Sequence, residues 1–283
     1  MKVLITGASG FIGLAILKRL LRVENIEILA ITRKLRAELP KNYNLAWVES
    51  NLDDHEKINK IINDFQPLVI IHLAWADIPN FSLETSLKNL NTSIAFFEAI
   101  FKSESCSKIL VAGSCFEYNQ KIGECIEGQA IFAKDSFTWS KLSLLDYLLI
   151  NCASRNINLG WFRLFYVYGP RQRKESLLPT LVDYLKNKEV PKLNTPKNSN
   201  DFIYVDDVAK AFELALKKDF KSGIFNLGSG QSTSVIEFST IVENELSNQN
   251  NLTNILTEQT KDSIKDTDFF ASTSLTEKTF GWR

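Results

Sequence analysis

The stretch from Lys2 to Gly13, KVLITGASGFIG, decides the fold. Lys2 to Thr6 is a mostly apolar run with no polar alternation, as expected of a strand buried on both faces. It ends at glycine, and a helical pattern follows from Phe11 to Arg22. Glycines at 7, 10 and 13 permit a tight turn and let backbone N–H groups approach a pyrophosphate at the positive end of that helix. Their spacing is three and three, not the two and three of the common dinucleotide fingerprint, and glycine also serves ordinary turns. The strand–turn–helix context is what favours a phosphate-binding loop.

Outward from this unit, apolar runs at Glu27 to Thr32, Leu68 to Ala74, Ile109 to Ala112 and Leu159 to Phe165 alternate with helical patterns at His55 to Phe65, Leu83 to Phe101 and Phe137 to Cys152. The alternation predicts an α/β fold, a Rossmann-type doubly wound parallel sheet covered on both faces. After Tyr168 it becomes irregular. Gly169-Pro170 is a turn, Leu177 to Lys188 a helix, Asp201 to Val205 a short strand and Val208 to Lys217 another helix. Ser234 and Glu237 form a capping-box pattern that opens a helix to about Ser247, and Asn248 to Asn254 reads as a loop. The expected division is a dinucleotide-binding domain over 1–168, with contributions from about 201–228. A smaller substrate-binding lobe, mainly 169–283, would lie over the carboxyl ends of the strands, where such sheets bind ligands.

Composition excludes several classes. Lys+Arg and Asp+Glu are both 33, so no concentrated basic charge suggests nucleic acid or a membrane surface; Arg171, Arg173 and Lys174 are the one local exception. No apolar stretch reaches the roughly 20 residues that span a bilayer. The apolar segment after Met1-Lys2 is broken by glycines, so it reads as a strand and not a signal-peptide core. Cys106, Cys115, Cys125 and Cys152 form no CxxC pair, and only His55 and His72 could join them, so no metal site is expected. Unpaired cysteines fit a reducing, cytoplasmic setting.

Five motifs together, GASGFIG, the HLAW of His72 to Trp75, RLFYVYGP from Arg163, DFIYVDDVA from Asp201 and FNLGSGQSTSV from Phe225, resemble the extended short-chain dehydrogenases/reductases of the NAD-dependent epimerase/dehydratase type. The match runs through the FGW at Phe280 to Trp282. The resemblance implies an enzyme that modifies nucleotide-activated sugars with a nicotinamide cofactor. Gly7, Ser9, Gly10, Phe11, Ile12 and Gly13 would hold the pyrophosphate, and Leu73, Ala74, Trp75 and Phe165 would line the cofactor. Asn51 and Leu52 stand at the adenine position. NAD-preferring relatives end the second strand with an acidic residue on the ribose. Here Thr32, Arg33 and Lys34 stand there, and an arginine attracts a 2′-phosphate that a carboxylate would repel. NADP(H) is therefore expected, with Arg33 on the phosphate and NAD(H) as second choice. A solvated basic turn is the competing reading.

In the family a Ser or Thr, a Tyr and a Lys four residues later act together. The lysine bonds the nicotinamide ribose and lowers the tyrosine pKa, and the tyrosine exchanges a proton as hydride moves. Ser114 and Lys141 match two of the three; Phe137 stands at the tyrosine position and has no proton to give. Positions 137 and 141 share one helical face. Two explanations stay open: a substitution of the kind introduced to trap substrate, or a natural loss with a substitute acid such as Tyr166.

The resemblance also narrows the reaction. Dehydratases of the family place an Asp-Glu pair after the catalytic threonine, where this chain has Cys115 and Phe116, which argues against dehydration. The expected activity is NADP(H)-dependent reduction of a nucleotide-diphospho-4-keto-6-deoxysugar for surface polysaccharide (O-antigen or capsule). A C4 epimerase and a non-catalytic NADP(H)-binding protein are the alternatives. Relatives hold the diphosphate with residues replaced here by Tyr166 and Asn200, so Arg171 and Arg173 are candidates for that charge; Trp75, Phe81, Ser114, Cys115 and Tyr118 are candidates for the sugar. A homodimer is expected through a four-helix bundle of Leu83 to Phe101 and Phe137 to Cys152. Phe96, Phe97, Ile100, Leu144, Leu145, Leu148 and Leu149 are the apolar excess on those helices.

Overall fold

In the computed structural model, which describes residues 1–187, 189, 193, 195–247, 258 and 265–283, the chain opens with strand β1 (Lys2–Thr6) and helix α1 (Phe11–Leu20). It continues through β2 (Glu27–Thr32), β3 (Leu45–Glu49), α2 (His55–Phe65), β4 (Val69–His72), α3 (Leu83–Ser103), β5 (Lys108–Ser114) and a 3-10 turn, Cys115–Glu117. After β6 (Ile122–Cys125) come α4 (Ser136–Ser154), β7 (Asn158–Leu164), β8 (Tyr166–Tyr168) and α5 (Leu177–Lys186). The remainder is β9 (Ser199–Asn200), β10 (Phe202–Tyr204), α6 (Val205–Lys217), β11 (Gly223–Leu227), β12 (Thr233–Ser234), α7 (Val235–Ser247), β13 (Asp268–Ala271) and α8 (Ser274–Phe280).

Seven parallel strands form the main sheet in the order β11-β7-β5-β4-β1-β2-β3. The order reverses direction at β1, so the crevice between the carboxyl ends of β1 and β4 is the natural ligand site. Strand interiors such as Val3, Ile5, Ile28, Ile71 and Leu110 are fully or nearly fully buried because helices cover both faces. One face packs α1, α6 and α8 around Phe162, Phe212 and Phe280; the other packs α2, α3 and α4 around Phe96, Phe97 and Leu144.

The smaller sheet, β12-β9-β13-β6, takes β6 from the first half of the chain, while α8 and Trp282 return to the main core. The chain therefore passes between the two sheets more than once. Asp201, between β9 and β10, fastens the crossings. Its buried carboxylate accepts from the backbone N–H groups of Ser229 (2.5 Å), Gly230 (3.0 Å) and Ala271 (3.0 Å), and from the Ser229 hydroxyl.

One expectation needs correction. Phe96, Phe97, Ile100, Leu144, Leu145 and Leu148 are buried inside this chain, filling the space between α3, α4 and the sheet; of the seven, only Leu149 is exposed. The asparagine-rich stretch 248–254 lies outside the described residues.

Candidate active site

The glycine loop is shaped by close backbone approach. Gly7 has φ +70°, and a Cβ there would lie 2.8 Å from the Ala74 nitrogen and the Leu73 carbonyl carbon. A Cβ on Gly13 would lie 2.1 Å from the Gly7 oxygen. Glycine is thus required for α1 to start directly against the end of β4. No side chain caps the first turn of α1 and no acidic residue lies in it, so its N–H groups face the crevice available to an anion. Ser9 Oγ meets Thr32 Oγ1 at 2.9 Å, tying the loop to the end of β2, where Arg33 and Lys34 are exposed. These features fit a dinucleotide phosphate.

A cavity of about 1000 Å³ runs from Gly7, Gly10, Phe11, Ile12 and Gly13 past Leu73, Trp75, Ser114, Phe137, Lys141 and Phe165 to Tyr166, Arg173 and Asn200 in the smaller lobe. Phe81 lies on its wall as well. Fifteen of the expected site residues therefore share one cavity.

Its centre is aromatic. The Phe137 ring is nearly buried and packs 4.6 Å from Phe81, 5.9 Å from Trp75 and 6.4 Å from Phe116, centroid to centroid. Lys141, one turn on, donates from Nζ to the Ala112 carbonyl (2.9 Å), and its ammonium sits 3.8 Å over the Trp75 ring. Burial lowers its pKa to about 8, partly offset by the negative charge of Glu117. Ser114 ends β5, and its hydroxyl accepts from the Phe116 N–H, capping the 3-10 turn. Tyr166, the candidate substitute acid, is half-buried beside Phe116; burial pushes its phenol pKa upward, making it a reluctant proton donor at neutral pH.

Three expected substrate residues are not on the cavity wall. Tyr118 is buried, donating its hydroxyl to Asn226 Oδ1 (2.7 Å) under the Arg163 guanidinium. Cys115 is buried in a small core with Cys125, Phe165 and Phe269, because the 3-10 turn rotates it away from the cavity. Arg171 is exposed in a left-handed turn conformation (φ +71°), while Arg173 reaches the wall and donates to the Ile78 carbonyl (2.8 Å). Among the other residues expected at the cofactor, Thr32 is buried, Asn51 is exposed and donates to Asp53 (3.3 Å), Leu52 packs in the core, and the Ala74 N–H reaches Thr6 Oγ1 (3.4 Å).

Sequence reasoning missed Asp77, Phe116 and Glu175 on the wall and Glu117 behind it. Only Glu117 carried a local signal: Ser114-Cys-Phe-Glu117 has the capping-box spacing, and both reciprocal hydrogen bonds are present.

The model of the family described as "NAD dependent epimerase/dehydratase family" matches residues 3–228. The chain is 25% identical over 260 residues to the dTDP-4-dehydro-6-deoxyglucose reductase of Escherichia coli, covering 86% of this chain and 81% of that protein. It is 26% identical over 249 residues to the CDP-abequose synthase of Salmonella muenchen, covering 86% and 80%. Among solved structures, the UDP-glucuronic acid 4-epimerase of Bacillus cereus in complex with NAD superposes with a TM-score of 0.85 at 21% identity, covering 100% of this chain and 93% of that one, a likeness of fold. With a parallel sheet reversing at β1, a glycine loop between β1 and α1 and a family match over most of its length, the chain belongs to the NAD-dependent epimerase/dehydratase family of extended short-chain dehydrogenases/reductases.

Proposed function

We propose that the protein is a nucleotide-sugar oxidoreductase, an NADP(H)-dependent reductase of a nucleotide-diphospho-4-keto-6-deoxysugar in surface-polysaccharide synthesis. The observation that supports this best is the single cavity joining the glycine loop, the Ser114–Lys141 pair and the Arg173–Asn200 end. A nicotinamide cofactor would supply hydride. Gly7 to Gly13 would receive its pyrophosphate, Lys141 its ribose, and Arg33, at the end of β2, a 2′-phosphate. The NAD named with the Bacillus cereus structure weighs toward NAD, as does Glu49, which ends β3 opposite Thr32 and accepts from the Leu35 N–H (2.7 Å); the exposed Arg33 and the lack of an acidic residue at the end of β2 itself weigh toward NADP(H). Ser114 would orient the sugar carbonyl, and the aromatic wall would exclude water from it. Phe116 lines the cavity where a dehydratase of the family has an acid, which supports reduction over elimination.

A second reading is a non-catalytic NADP(H)-binding protein. It is favoured by Phe137, whose ring is held by Trp75, Phe81 and Phe116 with no hydroxyl at the proton-transfer position.

Single-turnover oxidation of NADPH with a panel of nucleotide-4-keto-6-deoxysugars separates the two. The Phe137→Tyr variant should be faster than the parent by about 10²–10⁴-fold, the usual contribution of a positioned acid. NADPH should bind more tightly than NADH, with the preference lost in Arg33→Ala. No turnover by either form would favour the binding protein, and equal affinities would remove the NADP(H) assignment.

A further inference from the structure

Behind the cavity wall lies a fully buried ion pair. Glu117 and Arg163 side chains are both 0% exposed, with Arg163 Nε donating to Glu117 Oε2 at 2.8 Å. The same carboxylate accepts from the Ser114 backbone N–H at 2.8 Å and from Trp161 Nε1 at 3.0 and 3.1 Å. Gly113 makes room for this, since a Cβ there would lie 2.3 Å from Trp161 Nε1 and 2.8 Å from Glu117 Oε1. A buried carboxylate with three donors is costly to assemble and costly to break, because removing it strands the guanidinium. Packing alone would be served by an apolar side chain.

We propose that Glu117 is a positioning residue of the reaction site: its buried carboxylate holds Ser114 at the cavity wall through the backbone and sets the counter-charge to the Lys141 ammonium. This rests on the reading of that cavity as the site of reduction. The Lys141 ammonium lies among His72 on β4, Glu117 in the 3-10 turn and Arg163 on β7, with Asp135 capping its own helix and Glu98 of α3 engaged by the Tyr147 hydroxyl. Burial holds His72 neutral. The Lys141 ammonium lies 5.9 Å over the ring of Trp161, whose indole N–H donates to the Glu117 carboxylate, so Lys141 meets the ion pair from its carboxylate side.

Competitive acetylation of the protein without ligand, read peptide by peptide by mass spectrometry across pH 6–10, gives the midpoint at which Lys141 loses its proton. Glu117→Gln is expected to move that midpoint below about 8 by roughly one pH unit, raising Lys141 reactivity at pH 7 up to about tenfold. Glu117→Asp, which keeps the charge but draws it back from Ser114, should hold the midpoint. In the Phe137→Tyr background it should slow single turnover about tenfold without changing NADPH affinity at pH 6.5. An unmoved midpoint in Glu117→Gln, or full rate in Glu117→Asp, overturns the proposal; if the glutamine variant does not fold, the aspartate rate decides. Failure of every form to turn over any sugar nucleotide would sink the reductase reading instead, and the acetylation result would still stand or fall on its own.

Discussion

Lys141, on the cavity wall, and His72, buried at the end of β4, each leave a signature in stability. The imidazole bonds Thr6 Oγ1 through Nδ1 (2.9 Å) and Ser93 Oγ through Nε2 (3.2 Å) and stacks on Phe96. Burial, and then the Lys141 charge, lower its pKa from 6.5 to about 3. The unfolded chain takes up a proton at 6.5 that the folded chain refuses, so the stability held above pH 6.5 drains away as pH falls toward 3. Denaturant titrations at pH 7 and 4.5 should show a loss of about 2–3 kcal/mol in the parent beyond that in His72→Asn. Lys141 has the opposite history: charged and buried, it costs stability below about pH 8, and the cost is relieved as pH rises toward 10.5. Lys141→Met should therefore raise stability at pH 7 by about 1–2 kcal/mol after the lost Ala112 bond is counted, with no gain at pH 10.5, while NADPH binding weakens.

At the scale of elements, the β1–loop–α1 unit sets the tightest constraint. Gly13→Ala must move either α1 or the loop, because the new methyl group meets the Gly7 oxygen and Ala8 Cα backbone atoms. Thermal melts should show a loss of about 1–3 kcal/mol, and calorimetry a loss of cofactor affinity. Gly128→Ala, with nothing within 4 Å of the added carbon, should leave both unchanged. The same unit was the most legible in sequence, together with β2, β4, β5 and β7, because burial on both faces writes strands as unbroken apolar runs. Edge strand β3, LAWVE, is only half-covered and so has no such signature. Strands β6 and β13 exist because they pair with each other across 146 residues (Ile122 with Asp268), which no local pattern records. In the site, Ser114, Phe137 and Lys141 were reached only through the family resemblance, since a lone Phe and Lys one helical turn apart would otherwise read as a core aromatic and a solvated charge. Tyr118 and Cys115 were misplaced because the twist of one 3-10 turn decides which side chain faces the cavity and which the core.

For the whole molecule, assembly is the property most open to test. With the larger apolar residues of α3 and α4 turned inward, any pairing of these helices has to use what they leave exposed: Leu83 and Leu87 on one, Trp139, Leu149 and Ile150 on the other. Exposed apolar side chains on two adjoining helices are the material of an isologous interface. Sedimentation at micromolar concentration should show a dimer that Trp139→Glu and Ile150→Glu together dissociate. A parent that sediments as a monomer would leave those residues without a partner.

The four bonds to the Asp201 carboxylate have a consequence for how the protein opens. They join a strand junction, the loop after β11 and the end of β13, segments up to 70 residues apart, at one point that solvent does not reach. The main sheet and the smaller sheet are therefore not two bodies on a flexible tether. Amide protons of Ser229, Gly230 and Ala271 should exchange only through global unfolding, and a protease should find no stage at which a nucleotide-binding fragment survives alone. Substrate would then enter by movement of side chains and rim loops across a cleft whose floor does not breathe.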